Sequence, residues 1–237
     1  MKTRTLIIAA SISFAVPTFA QTSGVLAHWD FVDGATGSAT FAPEDNGIDC
    51  VKPHNITKYG LNYSWSTADS EDGSKYGANC FGSWDGGATG DYVAFAVTFS
   101  NEAAGGVSKI NFDIANYGKY YDPDYYAVRV YKNGTSLGYV DNAWKAITAV
   151  ATSNSSGQPW SASADQNLDV SSFNLTSAHG SEDTFEFRIY TTGASSSSGR
   201  IALDNFRAVG KVDCVPEPSS AALMGLASLA LLVRRKR

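Results

Sequence analysis

The sequence predicts an all-β protein: a two-sheet antiparallel β-sandwich of jelly-roll type, with a cleaved N-terminal signal helix and a short C-terminal transmembrane helix. Three observations carry this. Apolar and polar residues alternate over short stretches, the period of a half-buried strand. These stretches are separated by Gly, Asn, Ser and Asp, and the chain holds 22 glycines, which mark turns between strands. Between the two ends no segment sustains a helical period, so the apolar faces must bury against one another as two sheets.

The N-terminus justifies the signal helix. Met1-Lys2-Thr3-Arg4 is basic, Leu6 to Val16 is apolar, and Thr18-Phe19-Ala20 before Gln21 is a small-residue cleavage site. This predicts export by the secretion machinery and a domain organisation of 1–20, 21–213 and 214–237.

The strands follow in order. Val25 to Phe31 sets Val25, Ala27, Trp29 and Phe31 against Leu26, His28 and Asp30, which predicts a strand with the first set inward. The stretch from Val32 to Gly90 is irregular, with short strand-like pieces at Ile56–Tyr59, Tyr63–Trp65 and Ala78–Phe81. Asp91 to Phe99 places Val93, Phe95, Val97 and Phe99 on one face. Val107 to Ala115 does the same with Ile110, Phe112 and Ile114. Tyr125 to Lys132 turns Tyr126, Val128 and Val130 inward. Asn133-Gly134 then forms a tight hairpin, and the return strand runs through Leu137 to Val140. Trp144 to Val150 is a further candidate strand, and Ser163 to Ser181 reads as a loop with one short helical turn. Thr184 to Tyr190 places Phe185, Phe187 and Ile189 inward, with Glu186 and Arg188 opposite. Arg200 to Val209 closes the domain, and its alternation breaks at Asp204-Asn205, where a β-bulge is expected.

The formal net charge of −5 understates the acidity of the exported part. Six of the 18 basic residues lie in the two ends, against one of the 23 acidic residues. The middle therefore carries 12 cations and 22 anions, a net of −10. Such a surface argues against nucleic acid, whose binding depends on neutralised phosphates.

Three cysteines, Cys50, Cys80 and Cys214, enter an oxidising compartment. Three pairings are open. Cys50–Cys80 is favoured because it would staple the irregular N-terminal region, leaving Cys214 over. Metal ligation lacks a C-x-x-C spacing.

The C-terminus reads Val215-Pro216-Glu217-Pro218, then an apolar run from Ala221 to Val233, then Arg234-Arg235-Lys236-Arg237. The prolines enforce an extended segment. The uncharged run is shorter than the roughly 20 residues of a full span, and the terminal cations favour a cytoplasmic end. This tripartite tail resembles the PEP-CTERM sorting signal of Gram-negative bacteria. The resemblance implies an exosortase as partner, transient residence in the inner membrane, and delivery to the cell surface or extracellular matrix. Within the domain, Phe185-Glu186-Phe187-Arg188-Ile189-Tyr190 and Ile201-Ala202-Leu203-Asp204-Asn205-Phe206-Arg207-Ala208-Val209-Gly210 are similar to the ends of other PEP-CTERM proteins and of galactose-binding-like and laminin-G-like sandwiches. That resemblance implies that the last strand pairs with the first. It also implies a structural calcium held by Asp30, Asp33 and Asp204. The alternative is that Asp204-Asn205 simply caps a bulge.

The sequence holds no H-E-x-x-H and no phosphate-binding loop, and its G-x-S-x-G match, Gly134-Thr135-Ser136-Leu137-Gly138, lies in the expected hairpin rather than on a strand-to-helix elbow. Asp122-Pro123-Asp124 reads as a turn rather than a glycosidase carboxylate pair. The expectation is a non-catalytic protein. Its alternative role is carbohydrate binding, to an exopolysaccharide, through the loop tyrosines Tyr117, Tyr120, Tyr121 and Tyr125. Trp65, Trp84, Trp144 and Trp160 lie in or near loops as further candidate rings. Those aromatics can equally cover sheet ends and fill the core.

Overall fold

The computed structural model describes residues 20–29, 47–59, 78–81, 92–116, 122–150, 165–194 and 200–215. The chain divides into a unit Gln21–Val215 and a unit made of Met1–Ala20 with Pro216–Arg237. The signal helix and the sorting tail beyond Val215 lie outside the described residues. Among the described residues no helix is long and apolar enough to cross a membrane.

Thirteen strands are described: β1 (Ala20–Trp29), β2 (Val51–Pro53), β3 (Thr57–Tyr59), β4 (Ala78–Phe81), β5 (Tyr92–Phe99), β6 (Ala103–Asn116), β7 (Tyr125–Lys132), β8 (Thr135–Tyr139), β9 (Lys145–Ala146), β10 (Asp165–Asp169), β11 (Thr176–Ser177), β12 (Asp183–Thr192) and β13 (Arg200–Cys214). The first sheet runs β1-β13-β6-β10, with β4 added to β13 and β11 to β6. The second runs β2-β5-β12-β7-β8, with β3 added to β5 and β9 to β7. The long pairings are antiparallel, and the last strand lies beside the first. The protein is a two-sheet β-sandwich.

Alternation builds the core. Val93, Phe95, Val97 and Phe99 of β5, Val128 and Val130 of β7, and Phe185, Phe187 and Ile189 of β12 are all buried in it. From the other sheet come Trp29, Ile110, Phe112, Ile114, Leu203 and Phe206. Phe206 is the hub. It stacks on Phe95 at 3.7 Å between ring centroids, and meets Trp29 at 5.5 Å and Phe112 at 5.8 Å. Two polar handles also cross between the sheets. The Trp29 indole N–H donates to the His54 carbonyl at 2.8 Å, and the Tyr126 hydroxyl donates to Gln166 Oε1.

The expected bulge is present. The β13–β6 register shifts between Asp204 and Arg207, and Asn205 takes a φ of 51°. One extra residue there sends both Leu203 and Phe206 into the core. At Asn133-Gly134 both residues have positive φ, 50° and 76°, as a two-residue hairpin requires. Asn133 also clamps the neighbouring strand: its Nδ2 donates to Asp183 at 2.8 Å and its Oδ1 accepts from the Thr184 N–H at 2.7 Å.

Several expectations are corrected. In β1, Leu26 and Ala27 are both fully buried while Val25 is 45% exposed, so strict alternation fails. Leu26 packs against Gly210 of β13, where a missing side chain leaves room. The stretch 163–181 holds the expected helical turn, a 3-10 turn at Ser171–Phe173, but it also contributes two strands, β10 and β11. The β10 sequence Asp-Gln-Asn-Leu-Asp buries only Leu168 in the core, so it carries no alternation to read. From Trp144 to Val150 only Lys145–Ala146 forms a strand, with Val150 as an isolated bridge to Asn116.

The disulfide is also corrected. Cys50 pairs with Cys214, with Cα atoms 5.8 Å apart, not with Cys80. Cys80 lies opposite Ile201, at the start of β13. Cys214 ends the same strand, about 40 Å further at the usual rise per residue. The bridge therefore ties the end of β13 in the first sheet to the entry of β2 in the second.

Candidate functional site: an aromatic and arginine face

The alternation that fills the core leaves the outer face of the second sheet with an unusual set of side chains. Outward positions are Tyr59 of β3, Tyr92 of β5, Glu186, Arg188 and Tyr190 of β12, Arg129 and Tyr131 of β7, and Ser136 and Tyr139 of β8. The registers pair Tyr59 with Tyr92, Tyr92 with Tyr190, Arg188 with Arg129, and Arg129 with Tyr139. Two rows of rings and guanidinium groups thus cross the sheet perpendicular to its strands.

Ring and cation geometry locks the array. Tyr59 and Tyr92 stack at 5.5 Å and 13°. Tyr190 tilts against Tyr92 at 5.4 Å and meets Tyr139 edge-on at 6.2 Å. The Arg188 guanidinium lies 4.5 Å from the Tyr92 ring centre and 3.9 Å from that of Tyr131. Arg129 lies 5.6 Å from Tyr131 and 5.4 Å from Tyr139. Such contacts contribute about 0.5–2 kcal/mol each. The Nε of Arg188 bonds Glu186, and that of Arg129 donates to Ser136 Oγ at 2.7 Å. The Tyr131 and Tyr190 hydroxyls meet at 3.3 Å, both rings buried. Tyr59, by contrast, is 61% exposed.

Burial and neighbouring charge act on three groups of this face. Burial pushes the Tyr190 phenol up, and Tyr131 adds to this. Burial also raises Tyr92, against the opposing pull of Arg188. Burial works against the charge of Arg188, but Glu186 beside it outweighs that. Tyr92 and Tyr190 therefore remain neutral hydroxyls, and Arg188 remains a cation, at any physiological pH.

The outer face of the first sheet differs. A cleft of about 320 Å³ there is lined by Asn111, Asp113, Asp165, Asn167, Asn205 and Arg207, among others. Asp113 and Asp204 are buried at directly opposed register positions. Asn205 Nδ2 donates to Asp113 Oδ2 at 2.9 Å, and the Asn205 backbone N–H donates to Asp204 Oδ1 at 2.8 Å. These are bulge-capping bonds. Asp165 and Asp113 stand side by side on neighbouring strands, not on opposite walls of the cleft. Among the described residues no group of three or more His, Cys, Asp or Glu is placed to hold a metal ion.

The sequence-derived candidates fall as follows. Tyr125 begins β7, is 45% exposed, and lies in phase with Arg129 and Tyr131 at the rim of the aromatic face. Tyr117, Tyr120 and Tyr121 lie outside the described residues, as do Trp65, Trp84, Trp160, Asp30 and Asp33. Trp144 is 39% exposed beyond β8. Asp122 is buried, and its turn is pinned by Asn116 Nδ2 donating to the Pro123 carbonyl at 3.2 Å. Val215 is the last described residue, its N–H donating to the Glu102 carbonyl at 2.9 Å. Sequence reasoning missed the Tyr59–Tyr92–Tyr190 row and both arginines as a site. The available signal was that strand positions opposite the core set held Tyr and Arg where Ser, Thr or Lys would suffice.

Residues 215–237 match the model of the PEP-CTERM protein-sorting motif. The tail is accordingly the sorting motif of an exported protein, anchored transiently in a membrane before exosortase processing. A comparison with curated proteins finds no match. Among solved structures, the arabinose-bound MgGH51 α-L-arabinofuranosidase aligns at 11% identity and a TM-score of 0.34 over 78% of this chain. This chain spans only 27% of that protein's length. The carbohydrate-binding module TmCBM27, described as recognising mannan, aligns at 9% identity and a TM-score of 0.35 over 84% of this chain and 100% of that one. At these scores neither likeness bears on what this chain does.

Proposed function

We propose that this is a non-catalytic protein of the bacterial surface or extracellular matrix. Its sorting motif delivers it there, and its domain contacts polysaccharide through the outer face of the second sheet. One observation carries the reading: Tyr59, 61% exposed, stacks on Tyr92 of the neighbouring strand, and the planar Arg188 guanidinium lies against Tyr92. Sugar rings present apolar C–H faces and a rim of hydroxyls, and an open tyrosine ring beside fixed donors complements both. The first-sheet cleft supports no hydrolytic reading, because glycosidase carboxylates must flank the scissile bond from two sides.

The test is affinity gel electrophoresis of the full-length protein in gels cast with a panel of polysaccharides, including that of the producing strain. Retardation should be lost in the Tyr59→Ala, Tyr92→Ala double variant. Migration unaffected by every polysaccharide would overturn the reading. Deleting residues 216–237 should leave binding intact while abolishing retention at the cell envelope.

A further inference from the structure

We propose that the glycan taken by the aromatic face is anionic, a carboxylate-bearing (uronic acid) polysaccharide whose carboxylates dock on Arg129 and Arg188. This rests on the polysaccharide reading above and names its ligand class.

Charge is unevenly placed on the described strands. The exported part has a net charge of −10, so an acidic polymer is repelled unless one region reverses the sign. The described strands divide their charge unequally. On the outer face of the first sheet stand Asp113, Asp165, Asp169, Asp204 and Asp213, against Lys109, Lys211 and Arg207. On the outer face of the second stand Lys52, Arg129 and Arg188, against Glu186 alone. Among the described strands the basic face is thus the one that carries the rings.

The arginine geometry points the same way. Arg129 and Arg188 are directly opposed across β7 and β12. Like charges in that position destabilise a sheet, and Glu186 offsets one of them. A solvated lysine would have been enough to keep this face wetted. Arginine instead offers a flat fork matched to a carboxylate, and aromatic stacking holds its plane. Each Nε is engaged within the face, with Ser136 or Glu186, so the plane of each fork is set before a ligand arrives. Preorganisation of this kind lowers the entropy cost of binding. The exposed Tyr59 ring, stacked on the Tyr92 that Arg188 adjoins, supplies a platform for the sugar ring.

The experiment compares polygalacturonate with its methyl ester, which has the same backbone without the charge, and with a neutral glucan. It uses the full-length protein, with a chelator present so that calcium cannot bridge two acidic molecules. Polygalacturonate should bind about tenfold or more tightly than the ester, the discrimination of one charge-assisted pair. Raising salt from about 0.05 to about 0.5 M should erase the difference. Arg129→Gln should reduce the preference without lowering the melting temperature by more than a few degrees. Acid and ester binding equally well, or only the glucan binding, overturns the anionic assignment while leaving the polysaccharide reading intact. Binding to none of the three overturns the anionic assignment, and the panel above then decides the broader one. The comparison of ligands uses wild-type protein alone, so no folding defect can confuse it.

Discussion

Replacing Cys50 and Cys214 together by serine removes the bridge without leaving a lone thiol from that pair. The sulfurs join residues 164 positions apart, nearly the whole exported domain. Closing a loop of that length restricts the unfolded chain by about 17 cal/mol/K, or about 5 kcal/mol at 25 °C, on the chain-entropy model. Measured removals of native bridges scatter from about 2 to 5 kcal/mol. With a urea m-value of about 2 kcal/mol/M, the midpoint should fall by about 1–2.5 M. Reducing the wild type with dithiothreitol should shift its midpoint by the same amount and leave the double variant unmoved. Non-reducing peptide mapping should recover Cys50 joined to Cys214. A Cys50–Cys80 peptide, or a wild-type midpoint indifferent to reductant, would refute the reasoning.

Phe206→Ala should cost about 3–5 kcal/mol, because the ring touches Phe95, Trp29 and Phe112 at once; a loss below about 1 kcal/mol in urea titration would show that the sheets collapse onto the gap. Gly210→Ala should destabilise by about 1–3 kcal/mol, since a Cβ there would overlap the Gly106 carbonyl and press on Leu26; an unchanged melting temperature contradicts that packing. At Asp183, burial pushes the carboxyl up, but the Asn133 amide and the Lys132 ammonium outweigh it and hold it below the ordinary carboxylate range. Its contribution is therefore present above the unfolded value, about pH 4, and fades as pH falls through the folded one. Wild type should melt above Asp183→Asn near neutral pH and converge with it in acid, and a gap that persists at the lowest pH would contradict this.

The parts of the fold legible in the sequence are those where period and burial coincide. β5, β7 and β12 each bury an uninterrupted alternate set, so their faces could be read directly. The bulge was legible because Leu203 and Phe206 are out of phase. β10 was not, since it lies at the edge of the first sheet and offers one core residue, Leu168. The disulfide partner was illegible because strand order, not sequence distance, brings Cys214 to Cys50. The aromatic face was half legible. Glu186 and Arg188 were placed opposite the core, yet the row they join is assembled from strands far apart in the chain. Tyr59 and Tyr190 are neighbours only through β5.

The extra residue at Asn205 has a reach beyond its own turn. It sets the phase of everything after it in β13: Phe206, Ala208 and Val212 line the core, and Cys214 packs against it. Remove that one residue and the whole run changes sides, carrying the Cys214 sulfur away from Cys50. The covalent tie between the two sheets thus depends on a single inserted residue nine positions upstream of its sulfur.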